Sequence, residues 1–182
     1  MAELAHSIDK IIYLRADEAD APEILALQKV AYQSEAEIYG DHSLPALEQT
    51  LEQLQADFDR MLFFKAVVNS KIIGSVRGYS VGETAHLSRV IVHPYFRRRG
   101  IGRRLLDEIE LAFPNAARFE AFTGHQSKRN LYQLTKRGYQ PFKTEPFSPA
   151  INWVYLQKDR KLVVGASVPG PNVEVGGQAS SR

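Results

Sequence analysis

The chain lacks cysteine altogether. This absence excludes disulfide bonds, a thiolate nucleophile and cysteine-ligated metal sites. The sequence also lacks any run near the roughly 18 uninterrupted apolar residues that a membrane-spanning helix needs. Its first residues, Met1 to His6, have neither the basic nor the apolar region of a secretory signal peptide. We therefore expect a cytoplasmic protein with no membrane partner.

The length and composition of the chain fit one globular domain. The length of 182 residues is close to the roughly 100–200 residues of a typical domain. Hydrophobic residues make up 44% and charged residues 24% of the chain, which argues against wholesale disorder. Because glycine, serine and proline become frequent after residue 157, we predict a domain over residues 10–157 and a flexible tail over residues 158–182.

Charge is distributed unevenly along this domain. Residues 1–96 contain 8 basic and 14 acidic residues, whereas residues 97–157 contain 11 basic and 5 acidic ones. This division allows an anionic ligand on one side and a cationic ligand on the other, although a solvated surface without ligands has the same pattern.

The apolar spacing predicts the element order β-α-α-β-β-β-α-β-α-β-β. The second helix is predicted to continue through Leu47 and Phe58, and the last two strands to pair around Ser148. The predicted fold class is α+β (mixed α/β), with a single central mixed, mostly antiparallel sheet flanked by helices.

The segment from Val90 to Leu106 combines an apolar strand, a basic loop and the start of a helix. The first N–H groups of a helix have no partner and lie at the positive end of its dipole, so they attract anions. Gly100 and Gly102 leave room for an oxygen to approach these groups. Five arginines surround the loop, namely Arg97, Arg98, Arg99, Arg103 and Arg104. The pattern indicates a pyrophosphate site, although an ordinary strand–helix turn with solvated arginines has the same residues.

The segment from Arg97 to Gly102 resembles the Arg/Gln-x-x-Gly-x-Gly/Ala signature of the GNAT superfamily of acetyl-CoA-dependent N-acetyltransferases. The preceding residues Val92 to Tyr95 and the later segment from Ser127 to Tyr139 are also similar to motifs of that superfamily. The resemblance covers residues 10–157. It implies the GNAT-like acyl-CoA N-acyltransferase fold, with acetyl-CoA as co-substrate and no metal.

The resemblance also implies which residues hold the co-substrate. In such proteins the strand before the signature diverges from its neighbour at a bulge and binds the pantetheine amides. The loop amides hold the pyrophosphate, and an asparagine on the next helix contacts the pantetheine arm. The residues in these positions are Val90, Ile91, Val92, Arg97, Arg98, Arg99, Gly100, Ile101, Gly102, Arg103 and Asn130.

The implied reaction is direct transfer to a primary amine in a ternary complex. A base must take a proton from the amine, and His86, paired with Glu83, is the predicted base because the unperturbed pKa of histidine is about 6.5. A purely structural histidine is the alternative. Relatives often carry a tyrosine acid four residues before the helix-ending glycine, but Leu134 stands there. Tyr132, roughly 200° around the helix from that position, is the candidate acid, and water is the alternative.

The acceptor is predicted to be a small molecule or peptide that carries a primary amine. Glu35 and Asp41 lie in the segment between the first two predicted helices. In this fold that segment usually forms one side of the acceptor site, so they are the predicted substrate-binding residues. A solvated helix end is the alternative. Nucleic acid is disfavoured because the arginines lack interleaved aromatic residues and the body has no net charge.

The sequence also allows a homodimer and a second, non-catalytic function. The last two strands allow a homodimer. The missing tyrosine motivates a second hypothesis, in which the protein is a catalytically silent acyl-CoA-binding or regulatory module.

Overall fold

The structure, a computed structural model, describes residues 10–160. The strands are β1 (Ile12–Arg15), β2 (Leu62–Val68), β3 (Lys71–Val81), β4 (Thr84–Val92), β5 (Arg118–Gly124), β6 (Gln140–Ser148) and β7 (Ile151–Asp159). The helices are α1 (Ala21–Tyr39), α2 (Pro45–Glu48), α3 (Leu51–Phe58), α4 (Ile101–Leu111) and α5 (Lys128–Lys136). Among these helices, none has the length and apolarity needed to cross a membrane.

All seven strands join one sheet in the order β1-β2-β3-β4-β5-β7-β6. Strands β4 and β5 run parallel, and every other neighbouring pair within residues 10–160 runs antiparallel. A parallel pair needs a crossover connection, which α4 provides here. The predicted fold class, a mixed and mostly antiparallel sheet flanked by helices, is confirmed.

Helices cover both faces of the sheet. On one face, Leu105 and Ile109 of α4 pack with Leu87 and Phe119 of the two parallel strands. On the other face, α1 and α3 pack against the start of the sheet through a second apolar cluster that includes Ile24, Leu54 and Phe63. The central strands are therefore enclosed, and α4 is held directly over the end of β4.

The prediction of one continuous second helix is wrong, because this segment forms two helices, α2 and α3. Gln49 separates α2 from α3 with an extended ψ of 129°. Thr50 then begins α3 with a capping box, in which its side chain accepts from the Gln53 N–H and the Gln53 side chain accepts from the Thr50 N–H. The apolar spacing continues across the break although Leu47 of α2 packs in a cluster with Leu44 and Ile151, whereas Leu54 of α3 packs in the cluster of Ile24 and Phe63.

The predicted domain boundary at residue 157 falls inside β7, which continues to Asp159. Lys158 forms an ion pair of 2.6 Å with Glu110 on α4, and Arg160 donates to the carbonyl oxygens of Ala116 and Phe113. These contacts hold the end of β7 against α4. The rest of the predicted tail, residues 161–182, lies outside the described residues.

Glu110, in the last turn of α4, is the centre of this packing. Its carboxylate accepts from Arg137 at 2.8 Å, from the Tyr139 hydroxyl at 2.8 Å and from Lys158 at 2.6 Å. Burial alone would raise the pKa of Glu110, but these hydrogen bonds outweigh it and hold the pKa below its ordinary value. One carboxylate thus connects α4 to the end of α5 and to β7.

Replacing Glu110 by Gln should lower the free energy of unfolding by about 2 kcal/mol, because hydrogen bonds to charged groups contribute roughly 1.5–3 kcal/mol. Since the pKa of the folded state is lowered, this contribution is present above the ordinary pKa of 4.5 and is lost as the pH falls below it. Urea unfolding at pH 7 and below pH 4 measures both effects.

The matched control is Glu108→Gln, because Glu108 pairs with Arg104 at a partly exposed (i, i+4) position. Such pairs contribute roughly 0.3–0.5 kcal/mol. Equal losses of stability in the two variants would contradict the role assigned to Glu110.

Candidate functional site

The two parallel strands separate in the middle of the sheet. Strand β4 pairs with β5 only over Thr84–Leu87. Directly afterwards, Arg89 and Val90 lie opposite Val76 alone, and Arg89 has a left-handed φ of 52°. Such a β-bulge bends its strand and increases the twist. Beyond the bulge, no strand of residues 10–160 pairs with β4 on the side of β5, and a space opens between them.

A cleft of about 770 Å³ extends from this opening to the N-terminus of α4, between α1 and α5. The residues predicted to hold the co-substrate converge on it. Those that line it are Val90, Ile91, Val92, Arg97, Arg98, Gly100, Ile101, Gly102, Arg103 and Asn130. Arg99 is the exception, since its guanidinium lies over the rings of Tyr95 and Phe96.

The N-terminus of α4 presents a row of free N–H groups to the cleft. Within residues 10–160, none of the six consecutive N–H groups from Arg98 to Arg103 donates to a protein acceptor. Arg98 and Gly100 have left-handed φ values of 66° and 77°, which turn successive N–H groups toward one point. A Cβ on Gly102 would lie 3.6 Å from Val90 and 3.7 Å from Val92, so the glycine leaves the space beside these groups open.

Basic side chains surround the row of N–H groups. The exposed ones that line the cleft are Arg98, Arg103, Arg129 and Lys136. Arg97 differs from them, because its Nη2 donates to the Ala31 carbonyl at 2.8 Å and its Nε to the Val92 carbonyl at 3.3 Å. Burial lowers the pKa of Arg97. The Arg97 guanidinium therefore connects α1 to the end of β4. Its hydrogen bonds go to backbone carbonyls and not toward the free N–H groups.

A smaller cavity of about 90 Å³ adjoins the cleft at the separated strands. The residues that line both spaces are Tyr32, Glu35, Val90, Leu106, Asn130 and Gln133. The far walls of the cavity are mostly apolar and include Leu44, Leu87, Phe122 and Trp153. The two spaces are thus connected at the junction formed by these shared residues.

Glu35 is the carboxylate at this junction. Its Oε1 accepts from the Ser127 hydroxyl at 2.9 Å and from the Asn130 amide at 3.2 Å. The same Asn130 amide lies 3.5 Å from the Thr123 hydroxyl of β5. Among the residues described, no side chain or N–H group donates to Glu35 Oε2, which leaves one carboxylate oxygen for a ligand.

The structure does not bring Glu83 to the site. Glu83 is exposed in the turn before β4, where its carbonyl accepts from the N–H groups of Ala117 and Arg118. Ser88, which lines the cavity, is five residues further along, or roughly 16 Å at about 3.3 Å per residue. Glu83 is too far from the junction because the strand is extended.

His86 lies beside the site and not in it. Its ring stacks on Tyr79 with a centroid distance of 5.0 Å, and its Nδ1 is 3.5 Å from Glu120. The acidic neighbour of His86 is therefore Glu120 and not the predicted Glu83. His86 and Ser88 do share a face of β4, but His86 lines neither the cleft nor the cavity.

Asp41 also lies away from the cleft. Gly40 ends α1 with a left-handed φ of 61°, and the chain turns away from the site there. The exposed Asp41 carboxylate accepts from the Ser43 hydroxyl and N–H group, and these bonds lower its pKa. Of the two predicted substrate-binding residues, the structure places only Glu35 at the junction.

Tyr132 lines the mouth of the cleft, but it is 62% exposed. Its hydroxyl accepts from Lys136 at 3.2 Å. Leu134, which occupies the position where relatives often have tyrosine, is buried and lines the small cavity. The two side chains thus point to different places, as their separation around the helix predicts.

Sequence reasoning missed Arg89 and Ser127 as residues of the site. Ser127 begins a segment that resembles a family motif, but a serine before a helix is a common capping residue, so no role in the site was predicted for it. Arg89 did give a signal in the sequence, since a charged residue within a buried strand needs a partner or a function. That signal was available in the printed sequence.

Comparison with known proteins agrees with this geometry. Residues 22–139 match the model of the acetyltransferase (GNAT) family. The UPF0157 protein YqkA of Bacillus subtilis (strain 168) is 33% identical over 135 residues, which cover 74% of this chain but only 39% of that protein.

Solved structures show the same fold at low sequence identity. The PaiA N-acetyltransferase of Thermoplasma acidophilum, solved in complex with coenzyme A, is 18% identical with a TM-score of 0.69, over 83% of this chain and 99% of that one. The ribosomal-protein-alanine N-acetyltransferase of Brucella melitensis is 19% identical with a TM-score of 0.64, over 82% and 99%. With a family match over most of its length and this fold, the chain belongs to the acetyltransferase (GNAT) family.

Proposed function

We propose that the protein transfers an acetyl group from acetyl-CoA to a primary amine, directly and within a ternary complex. The observation that carries this proposal is the cleft itself. One end presents six free N–H groups in a basic surrounding, and the other end opens at a carboxylate, Glu35, beside a second cavity. An anionic co-substrate and an amine can therefore meet at one point.

The residues of the cleft fit an acyl-CoA. The N–H groups from Arg98 to Arg103 suit the pyrophosphate oxygens, and Gly102 leaves room for them to approach. Strand β4 beyond the bulge offers unpaired backbone groups to the pantetheine amides. The structurally similar PaiA protein was solved with coenzyme A, which supports this assignment. Acetyl-CoA supplies a thioester whose carbonyl carbon accepts the amine.

Glu35 holds the amine and takes its proton. An alkylammonium has a pKa of about 10.4, so at pH 7 nearly all of it is protonated and not nucleophilic. A carboxylate at the junction attracts the cation and accepts its proton directly or through a water molecule. His86 fits this role less well because it lies outside both spaces, next to Glu120. Asn130 and Ser127 hold Glu35 in position.

Tyr132→Phe should lower kcat by less than tenfold, which is under about 1.4 kcal/mol of barrier. The Tyr132 hydroxyl is exposed and bound to Lys136. A thiol pKa near 8.5 also lets water protonate the sulfur that leaves. Steady-state kinetics measures the effect. A loss of a hundredfold or more at an unchanged melting temperature would show that Tyr132 acts in catalysis.

The second candidate function is acyl-CoA binding without catalysis. It is favoured by the apolar Leu134 in the cavity wall, where a proton-donating tyrosine would otherwise stand. Two measurements on the full chain separate the candidates. Calorimetry tests whether CoA binds, and a thiol-release assay tests turnover of acetyl-CoA with alkylamines, amino acids and lysine peptides. Binding without thiol release from any amine supports the silent module, and absence of binding contradicts both candidates.

A further inference from the structure

Arg89 is a half-buried cation beside the small cavity. It lines that cavity from the bulge of β4, half-buried, and its guanidinium lies 5.3 Å from the centre of the Tyr32 ring. The Arg89 Nη1 is 3.5 Å from the Tyr32 hydroxyl, at the limit of a hydrogen bond, and its Nε is buried without any partner. In the part of the chain that the structure describes, no carboxylate forms an ion pair with it.

The neighbouring residues add positive charge instead of balancing it. Arg77 of β3 is buried and pairs with Asp57 at 2.8 Å, and the same Asp57 pairs with Arg60 at 2.8 Å. Two arginines thus share one carboxylate, which is not available to Arg89. Burial first, and then the charge of Arg89, lower the pKa of Arg77 to about 10 despite Asp57. Arg89 and the neighbouring group of Arg77, Arg60 and Asp57 therefore have a surplus of positive charge.

We propose that Arg89 binds a carboxylate of the acceptor, so that the acceptor is a free amino acid. This inference rests on the proposed function. A guanidinium binds a carboxylate through two parallel hydrogen bonds, and burial strengthens such a pair. Glu35 lines the same cavity. The cavity thus offers an anion for the ammonium group and a cation for the carboxylate group of one small molecule.

The walls of the cavity define the remaining part of this ligand. Leu44, Leu87, Phe122 and Trp153 line it, and none of them can form an ion pair. Its volume is about 90 Å³, which suits a compact molecule. The acceptor that fits is an amino acid with a small or medium apolar side chain, and its nitrogen lies toward the junction with the cleft.

The test compares amino acids with their carboxamides, which keep the amine and the side chain but lose the negative charge. L-Alanine, L-valine and L-leucine and the three corresponding amides are titrated into the full chain saturated with CoA, with calorimetry as the readout. At least one acid should bind ten times more tightly than its amide. Arg89→Gln should weaken binding of that acid at least tenfold and remove its preference over the amide. Arg89→Lys should restore only part of the affinity.

The matched control is Arg118→Gln, which removes the same charge from an exposed ion pair with Asp159. This variant should keep the affinity for the acid, and all variants should keep the affinity for CoA. A merely structural role of Arg89 would weaken acid and amide equally and lower the melting temperature.

The outcomes separate this inference from the proposed function. Equal affinity for acid and amide in all three pairs, or a preference that survives in Arg89→Gln, overturns the inference. If thiol release then proceeds with amines that lack a carboxylate, the proposed acetyltransferase function is retained and only the inference about Arg89 is rejected. Failure of CoA to bind to the unmodified chain contradicts the proposed function itself.

Discussion

Gly102→Val is expected to weaken CoA binding at least a hundredfold, about 2.7 kcal/mol, and to leave the fold intact. The Cβ would lie at ordinary contact distances of 3.6 Å and 3.7 Å from Val90 and Val92, so the backbone accommodates it. The two further methyl groups of valine must extend beside the free N–H groups at the start of α4. They would occupy the space that the pyrophosphate oxygens need.

Calorimetry with CoA measures this loss, and thermal unfolding checks the fold. Gly102→Ala is the matched control, because it adds the Cβ without the two methyl groups and should cost much less affinity. If both variants bind CoA as tightly as the unmodified chain, the pyrophosphate does not lie at this helix N-terminus.

Glu35→Gln is expected to lower kcat/KM for the amine at least a hundredfold, since a positioned general base contributes roughly 10²–10⁴ in rate. The amide side chain keeps an oxygen that can accept from Ser127 and Asn130, so the local structure should persist. It loses the negative charge and the ability to take a proton. The affinity for CoA should stay unchanged because the proposed phosphate site lies at the other end of the cleft.

Glu37→Gln is the control for this variant, because Glu37 is an exposed carboxylate two residues further along α1 that lines neither space. Asp41→Asn should likewise have no effect, since the Asp41 carboxylate accepts from Ser43 and lines neither space. Steady-state kinetics with the best amine of the panel measures all three variants. A loss below tenfold for Glu35→Gln, or an equal loss for Glu37→Gln, would assign the base to another residue.

Local sequence was sufficient to predict the loop and the helix start that line the basic end of the cleft. The N–H groups of a first helical turn are free wherever a helix begins, and Gly100 and Gly102 show where this one begins. The same local rules predicted the sheet and its element order, because alternating and helical apolar spacings depend on which face is buried. They failed at Gln49, where the apolar spacing runs through a break between two helices.

Contacts between distant parts of the chain decided which residues meet at the junction of cleft and cavity. Glu35 meets Ser127, 92 residues away, only because α1 and the start of α5 pack on opposite sides of the separated strands. Asp41 is close to Glu35 in sequence, yet one left-handed glycine directs it away from the site. Glu83, in the turn before β4, and His86, on β4, both precede the opening. The extended chain between them and Val90 keeps them from lining the cleft.

The sequence by itself therefore determined the fold class, the family resemblance and the position of the glycine-containing loop before α4, since each follows from residues that are neighbours along the chain. Only the tertiary structure decided which carboxylate lines the junction of cleft and cavity, and that Arg89 forms no ion pair with a carboxylate within residues 10–160. Burial and charge pairing depend on residues brought together from distant segments. An arginine in a strand is ambiguous until its surroundings are known, and here those surroundings are a cavity with one carboxylate and a surplus of positive charge.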